Sequence, residues 1–214
     1  MIIGLVGLIG SGKDTAADYL VNFHQFRRDS FAASLKDAVA SVFGWNREML
    51  EGRTAESRAW REQKDEWWSN RLGMDITPRW VLQNWGTEVC RNGFHPDIWV
   101  ASFEYRVRNS KDNIVITDCR FPNEMKALKQ AGGFIVQVQR GVIPEWFEPL
   151  SKLKIDDTEE TRLVRQSFMN NFNVHASEWS WVGADIDVVI SNNGSISDFY
   201  TNIESSIDLL NKTK

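Results

Sequence analysis

The 214-residue chain is 42% hydrophobic and 25% charged, ordinary proportions for a folded globular protein, which exclude a disordered chain, a collagen and a coiled coil. Its length suits one α/β domain with a sizeable core, or one core with an appendage, and is short for two full domains. Lys and Arg number 25 against 29 Asp and Glu, a formal charge of −4; no bulk basic field exists to hold long nucleic acid, so any nucleic-acid-like ligand is small and locally bound.

The apolar opening from Met1 to Ile9 has no basic leader, and Gly10-Ser11-Gly12-Lys13 breaks it far short of a membrane span. It reads as a buried strand and not as a signal peptide or an anchor. Within it Ile2 to Val6 is a mostly β-branched run broken only by Gly4, the pattern of a central parallel strand covered on both faces. A glycine-rich loop follows, then a helix from about Lys13 to Phe23 with Ala16, Ala17, Leu20 and Val21 as its apolar stripe. A second helix, Ser34 to Phe43, turns Leu35, Ala38, Val39 and Val42 inward and stops at Gly44.

Residues 45–76 are rich in Arg, Glu and Trp and read as a helical insertion, in which Trp60, Trp67 and Trp68 are packing residues. Between 47 and 91, eight Lys/Arg balance eight Asp/Glu, so this segment is no basic patch. Thr77-Pro78 opens a helix that Gly93 stops, and His95-Pro96-Asp97 opens another reaching about Val107. A second strand, Ile114 to Thr117, ends at Asp118; Phe121 to Ala131 is a helix stopped by Gly132-Gly133; Phe134 to Val138 is a third strand. Residues 141–173 are polar with no clear core period. A fourth strand, Ile186 to Ile190, precedes the Asn192-Asn193-Gly194 turn and a last helix lined by Ile196, Phe199, Ile203, Ile207 and Leu210. Strands alternating with helices give βαβ units and a mostly parallel sheet.

Gly7-Leu8-Ile9-Gly10-Ser11-Gly12-Lys13 fits G-x-x-x-x-G-K between a strand and a helix, the setting a phosphate-binding P-loop requires. Glycines allow successive N–H groups to face one concavity, the helix adds its positive end, and Lys13 supplies a full charge for the β- and γ-phosphates. The position that normally carries a Mg²⁺-holding Ser or Thr is Asp14, with Thr15 after it. Thr15, Asp14 or only waters then contact the metal. Asp118-Cys119-Arg120-Phe121-Pro122-Asn123-Glu124 stands at the carboxyl end of a strand, where open α/β sheets bind ligands. The competing reading has Asp118 cap the next helix and Arg120 pair with Glu124. Arg140 ends the third strand, and Arg162 and Arg165 lie in the polar stretch, which reads as a lid or as a solvated helix. Cys90 and Cys119 are far apart and match no metal spacing, and the three histidines are scattered, so neither a His-based metal site nor a triad is expected.

The chain resembles the bacteriophage-type deoxynucleoside monophosphate kinases. The resemblance rests on Gly12-Lys13-Asp14-Thr15 with Ala17-Asp18, on Leu35-Lys36-Asp37-Ala38, on Leu82-Gln83 through Gly86-Thr87-Glu88, on Trp99, on Asp118 through Glu124, and on His175-Ala176-Ser177-Glu178, in matching order and spacing. It implies ATP-dependent transfer, with Mg²⁺, of the γ-phosphoryl group to the 5′-phosphate of a deoxynucleoside monophosphate, which supplies nucleotides for DNA synthesis. By the same resemblance Lys36, Arg58, Arg79, Gly86, Thr87, Trp99, Asp118, Arg120 and Glu124 contact the acceptor, with Trp99 equally readable as a core residue. Lys13, Asp118 and Arg120 carry the chemistry, and Gly10, Ser11, Gly12, Lys13, Asp14, Thr15 and Arg140 hold ATP. The implied architecture is an α/β, P-loop NTPase-type doubly wound parallel sheet with core segments 1–44, 111–140 and 176–214, a helical acceptor-binding insertion at about 45–110 and a lid at about 141–175. A cytoplasmic enzyme is expected (host cytoplasm for a phage-encoded chain), with a small-molecule partner, no membrane, no long nucleic acid, and a homodimer. Two other readings stay open: a kinase of the dephospho-coenzyme A or phosphomevalonate type, and a nucleotide-binding regulatory module without turnover.

Overall fold

The structure, a computed structural model, describes residues 1–156 and 158–212. Its centre is β1 (Ile2–Val6), whose Ile3, Leu5 and Val6 are buried, as an apolar run covered on both faces must be. β1 pairs in parallel with β3 (Asn113–Ile116) on one side and β4 (Phe134–Gln139) on the other, Ile3 lying opposite both Val115 and Phe134. With β2 (Phe26–Asp29) and β5 (Val188–Ser191) at the edges, the sheet runs β2-β3-β1-β4-β5, all parallel. The chain leaves β1 toward β2 on one side, and after β3 crosses to β4 on the other. The carboxyl end of β1 is therefore the switch point at which doubly wound sheets bind ligands.

The edge strand β2 is invisible to a hydropathy reading. In Phe26-Arg27-Arg28-Asp29 only the two ends are buried and the middle is charged. β5 begins at Val188, two residues later than the apolar run suggests, because the Asp187 carboxylate turns aside to accept from Lys129 Nζ and Ile135 N.

Contacts divide the chain into two units, Met1–Ser30 with Glu104–Lys214, and Phe31–Phe103. In the first, α1 (Lys13–His24) and α12 (Ile196–Lys212) bury Ala16, Ala17, Leu20, Phe199, Ile203 and Ile207 in one cluster with Ile3, Leu5 and Val136 of the sheet. Val21 stands outside that stripe, 37% exposed. Successive strand residues face opposite sides, so Gly4 points away from this cluster, toward α8 (Pro122–Gln130). A Cβ there would lie 2.6 Å from Leu128 Cδ1, so glycine is what lets α8 pack this close. Farther along come α9 (Phe147–Ser151), α10 (Glu159–Met169) and α11 (Ala176–Trp179). α10 has no apolar period because its buried positions are Thr161, Arg165 and Met169. Arg165 is 3% exposed and donates to the carbonyl oxygens of Leu150, Leu153, Lys154, Trp179 and Val182. It is thus a clasp for this segment, which removes it from the lid arginines, while exposed Arg162 pairs with Glu159 at 2.6 Å as a helix-surface charge.

The second unit is helical. Starts and stops are frequent in its sequence, so the helices are short. Asn46 caps α3 (Arg47–Glu51), a Thr54–Ser57 capping box opens α4 (Ala55–Glu62), Asp65 caps α5 (Glu66–Leu72), and Thr77 with Pro78 opens α6 (Pro78–Gln83). Gly44, Gly52 and Gly73 end α2 (Ala33–Phe43), α3 and α5 in the left-handed conformation. The core is Leu35, Val39, Leu50, Ile76, Val81 and Trp99, with Phe43, Trp45, Trp60, Trp68 and Trp85 packed against it. The insertion is rich in tryptophan because so short a set of helices needs large side chains to fill its centre. Trp67 is the exception, 64% exposed and edge-on to Trp68. On α2 only Leu35 and Val39 are buried; Ala38 and Val42 face outward. α6 continues as a π-helix, Asn84–Asn92, and α7 (Ile98–Val107) follows. Among the described residues no helix is long and apolar enough to cross a membrane.

Candidate active site

The loop between β1 and α1 has a geometry that only its glycines permit. Gly7 has φ +147° and a Cβ there would meet Val138 O at 2.4 Å; Gly12 has φ +105° and its Cβ would meet Asn192 Nδ2 at 2.4 Å. The loop is therefore wedged between the ends of β4 and β5. Asn192 Nδ2 donates to Ser11 O at 2.8 Å, and Ser11 N donates to Leu8 O at 3.1 Å. Ser11 Oγ is buried with no hydrogen-bond partner among the described residues. Gly12, the N-cap of α1, offers no side-chain acceptor to the first-turn N–H groups. Orphan donors at a helix start, lined by glycine, are the elements of an anion cradle.

Lys13 is the first residue of α1, and its Nζ bends back to donate to Gly7 O (2.7 Å) and Leu8 O (3.0 Å). Burial pulls its ammonium below the usual lysine range; Glu178 opposes this, Arg120 adds to it and Asp14 opposes it. Asp14 is engaged by Arg28 of β2, which also donates to Asp18 Oδ1 (2.9 Å) and Thr117 Oγ1 (3.2 Å). Arg28 carries no signal in the sequence, since its partners lie on two other segments, α1 and the end of β3. Thr15, half-buried, is the hydroxyl of the first turn.

At the carboxyl end of β3, Asp118 is half-buried and the chain turns into α8. Phe121, not Asp118, is the N-cap of α8. Glu124, 3% exposed, accepts at Oε2 from Arg120 N (2.9 Å) and Phe121 N (3.1 Å). The resemblance has it reach the acceptor; in the structure one of its carboxylate oxygens is taken up by these two backbone N–H groups. The Arg120 guanidinium donates from Nη1 to Ser177 Oγ (3.1 Å) and stands 3.7 Å from Glu178 Oε1. Glu178 Oε2 in turn accepts from Ile9 N of the glycine loop at 2.9 Å. One carboxylate thus joins the loop to Arg120. Arg140 is exposed immediately after β4.

In the helical unit Lys36 Nζ lies 2.7 Å from Glu51 Oε2, and Arg47 holds the other carboxylate oxygen. Burial raises the Glu51 carboxyl, but Lys36 and Arg47 outweigh it and hold it down at about 2. Arg58 and Arg79 are both exposed; Arg58 Nη1 donates to Arg53 O at 2.9 Å and Arg79 Nε is 4.0 Å from Glu62. Arg61 sits within their field. Burial lowers its pKa first, then Arg79, and Arg58 adds to this against Glu62; its Nε is buried without a hydrogen-bond partner among the described residues. Arg61, Glu51 and Arg47 carry no signal in the sequence, because their roles come from partners on other helices. Trp99 is 9% exposed in the core, and its Nε1 donates to Gly86 O at 2.9 Å. Gly86 is buried within the π-helix, with Leu35 Cδ2 2.9 Å from where a Cβ would stand, and Thr87 is exposed beside it. Among the described residues no group of three His, Cys, Asp or Glu is placed to hold a metal ion by itself.

Over 220 residues the chain is 30% identical to a protein of Acanthamoeba polyphaga mimivirus assigned as a deoxynucleotide monophosphate kinase, covering 97% of this chain and 96% of that one. The chain belongs to the deoxynucleoside monophosphate kinase family. A second member, the deoxynucleoside-5′-monophosphate kinase of Escherichia phage T5, is 28% identical over 182 residues, 61% of this chain and 72% of the other. Among solved structures, the dephospho-CoA kinase of Campylobacter jejuni aligns with 99% of this chain and 98% of its own at 15% identity and a TM-score of 0.47. No family model matches.

Proposed function

We propose that the chain transfers the γ-phosphoryl group of ATP to the 5′-phosphate of a deoxynucleoside monophosphate, giving the diphosphate, in the cytoplasm. The observation that carries this reading is the convergence of the glycine loop, Lys13 and Arg120 on one carboxylate, Glu178. A phosphate-binding loop and an arginine from the next strand end are thereby set to face a single anionic group.

The chain's own residues suffice for most of the work. A phosphate acceptor is already anionic at neutral pH, so no general base has to deprotonate it. What remains is to bring two polyanions together and neutralise their repulsion. Residues 7–13 hold the donor phosphates through backbone N–H groups, Lys13 adds a full charge, and Arg120 bridges toward the acceptor. In the helical unit, Arg58, Arg61 and Arg79 form a cluster of like charge, which an acceptor phosphate relieves. Gly86 and Thr87 border the acceptor, while buried Trp99 and Glu124 act as positioning residues, the first for the π-helix and the second for Arg120. The segment 45–110 is then the acceptor-binding insertion and 141–175 the lid, with Arg140 beside it.

The residues also fit Mg²⁺. Asp14 is engaged by Arg28, and together with the Thr15 hydroxyl and the Asp118 carboxylate it makes a thin donor set, suited to a cation that keeps its waters. When bound, Mg²⁺ supplies charge neutralisation at the β- and γ-phosphates. A homodimer belongs to the same reading and is tested by light scattering on the eluted protein.

The test is ADP release from ATP and Mg²⁺ with dTMP, dGMP, dCMP and dAMP offered singly, beside ribonucleotides, dephospho-coenzyme A and phosphomevalonate. Turnover that requires a deoxynucleotide supports the proposal. Turnover only with one of the last two acceptors, or ATP binding with no turnover at all, overturns it.

A further inference from the structure

His175-Ala176-Ser177-Glu178 is one of the pieces on which the resemblance rests, yet none of its side chains has a step in the transfer proposed above. Its geometry points to one. We infer that Glu178 is a positioning residue that holds the Ile9 N–H and Arg120 in place of the γ-phosphate and surrenders both when ATP binds. The inference rests on the reading of the glycine loop as an ATP site.

Three features carry it. Glu178 Oε2 accepts from Ile9 N at 2.9 Å, across 169 positions of sequence, and the Ile9 side chain is 85% exposed, so packing of Ile9 does not account for the contact. Its other oxygen stands 3.7 Å from Arg120 Nη1, whose second partner, Ser177 Oγ, is the neighbouring residue of the same short helix. Among the charged neighbours acting on Lys13, Glu178 is the strongest, ahead of Arg120 and Asp14. A loop N–H, a P-loop lysine and a guanidinium are the donors a transferring phosphoryl group needs. A carboxylate bound among them occupies that role with a single negative charge. An arriving triphosphate carries more charge and more acceptor oxygens, and two anions repel each other across so short a distance. ATP therefore displaces Glu178 and frees Arg120 from the residue 177–178 pair. The acceptor clamp is completed only once the donor is in place, which favours ATP binding before the monophosphate.

The substitution that isolates the charge is Glu178→Gln. Its amide oxygen still accepts from Ile9 N, so a purely structural tether survives and only the negative charge is lost. The full chain and this variant are titrated with ATP in the absence of acceptor, and Glu178→Ala is carried as a second variant. Both variants are expected to bind ATP more tightly, by about tenfold, the scale of one partly exposed like-charge repulsion removed, and to bind dNMP more tightly in the absence of ATP, because Glu178 no longer holds Arg120. In the unmodified chain, a non-hydrolysable ATP analogue is expected to speed amide exchange across residues 176–179. Unchanged or weakened ATP binding in Glu178→Gln overturns the inference while leaving the ATP site intact. Failure of the unmodified chain to bind ATP overturns the underlying reading and this one together.

Discussion

Lys13 and Glu51 show how single side chains divide between chemistry and architecture. Lys13 Nζ donates to two carbonyls of its own loop, contacts that are worth little to the fold because water can replace them on a half-buried group. Lys13→Ala is expected to lower kcat by about 10²–10³, the loss of one donor aimed at developing charge, with melting temperature and far-UV spectrum unchanged. Near-normal kcat in that variant would remove the loop from the mechanism. Glu51 is the opposite case. Its folded-state pKa of about 2 lies below the ordinary value of 4.5, so its ion pairs with Lys36 and Arg47 contribute stability that is complete above pH 4.5 and is lost as the pH falls toward 2. Glu51→Gln is expected to cost about 2 kcal/mol at pH 7, the scale of hydrogen bonds to a charged group. The gap between the two proteins should narrow in melts taken between pH 4.5 and pH 3. A constant gap across that range would place the stabilisation elsewhere.

Among the elements, the π-helix Asn84–Asn92 concentrates the unusual features of the helical unit. It contains Gly86 and Thr87, and its one buried residue, Gly86, has its carbonyl held by the Trp99 indole. π-Helical turns are held against the tighter α-helix by specific side chains and recur at functional sites. Trp99→Phe keeps the ring in the core and removes only the N–H donor. It is expected to raise the acceptor KM severalfold and leave ATP affinity unchanged, as steady-state kinetics with each substrate varied will show; an equal effect on both substrates would mean the unit has been generally loosened. Nothing in Asn84-Trp85-Gly86-Thr87 separates a π-helix from an α-helix, because the widening depends on Leu35 and Trp99 closing around Gly86. β2 and α10 escaped a sequence reading for a related reason, their buried positions including Asp29 in one and Arg165 in the other, charged residues matched by partners far along the chain. By contrast β1, β3 and β4, the caps at Thr77-Pro78 and the stop at Gly44 are legible, since local composition alone decides them.

For the whole molecule, the all-parallel order β2-β3-β1-β4-β5 sets the glycine loop at the switch point and Asp118 and Arg120 past the end of the adjacent strand. Much of the candidate site was legible because glycine spacing, a lysine at a fixed offset and a strand end are local signals. Arg28 and Arg61 were not, and Glu178 was visible only within the His175–Glu178 piece and without a role, since each acquires meaning only from charges and donors that the fold brings to it. On the proposed function, a chain of net charge −4 that brings two polyanions together must concentrate positive charge locally, at the loop, Lys13, Arg120 and the arginine cluster of the helical unit. The proposed transfer is followed as ³²P passing from the γ-position of ATP into deoxynucleoside diphosphate, with the unmodified chain and Arg120→Ala side by side. Label is expected in the diphosphate, and for Arg120→Ala a larger rise in acceptor KM than in ATP dissociation constant. Label appearing only as inorganic phosphate, or an Arg120→Ala variant impaired in ATP binding alone, would contradict it.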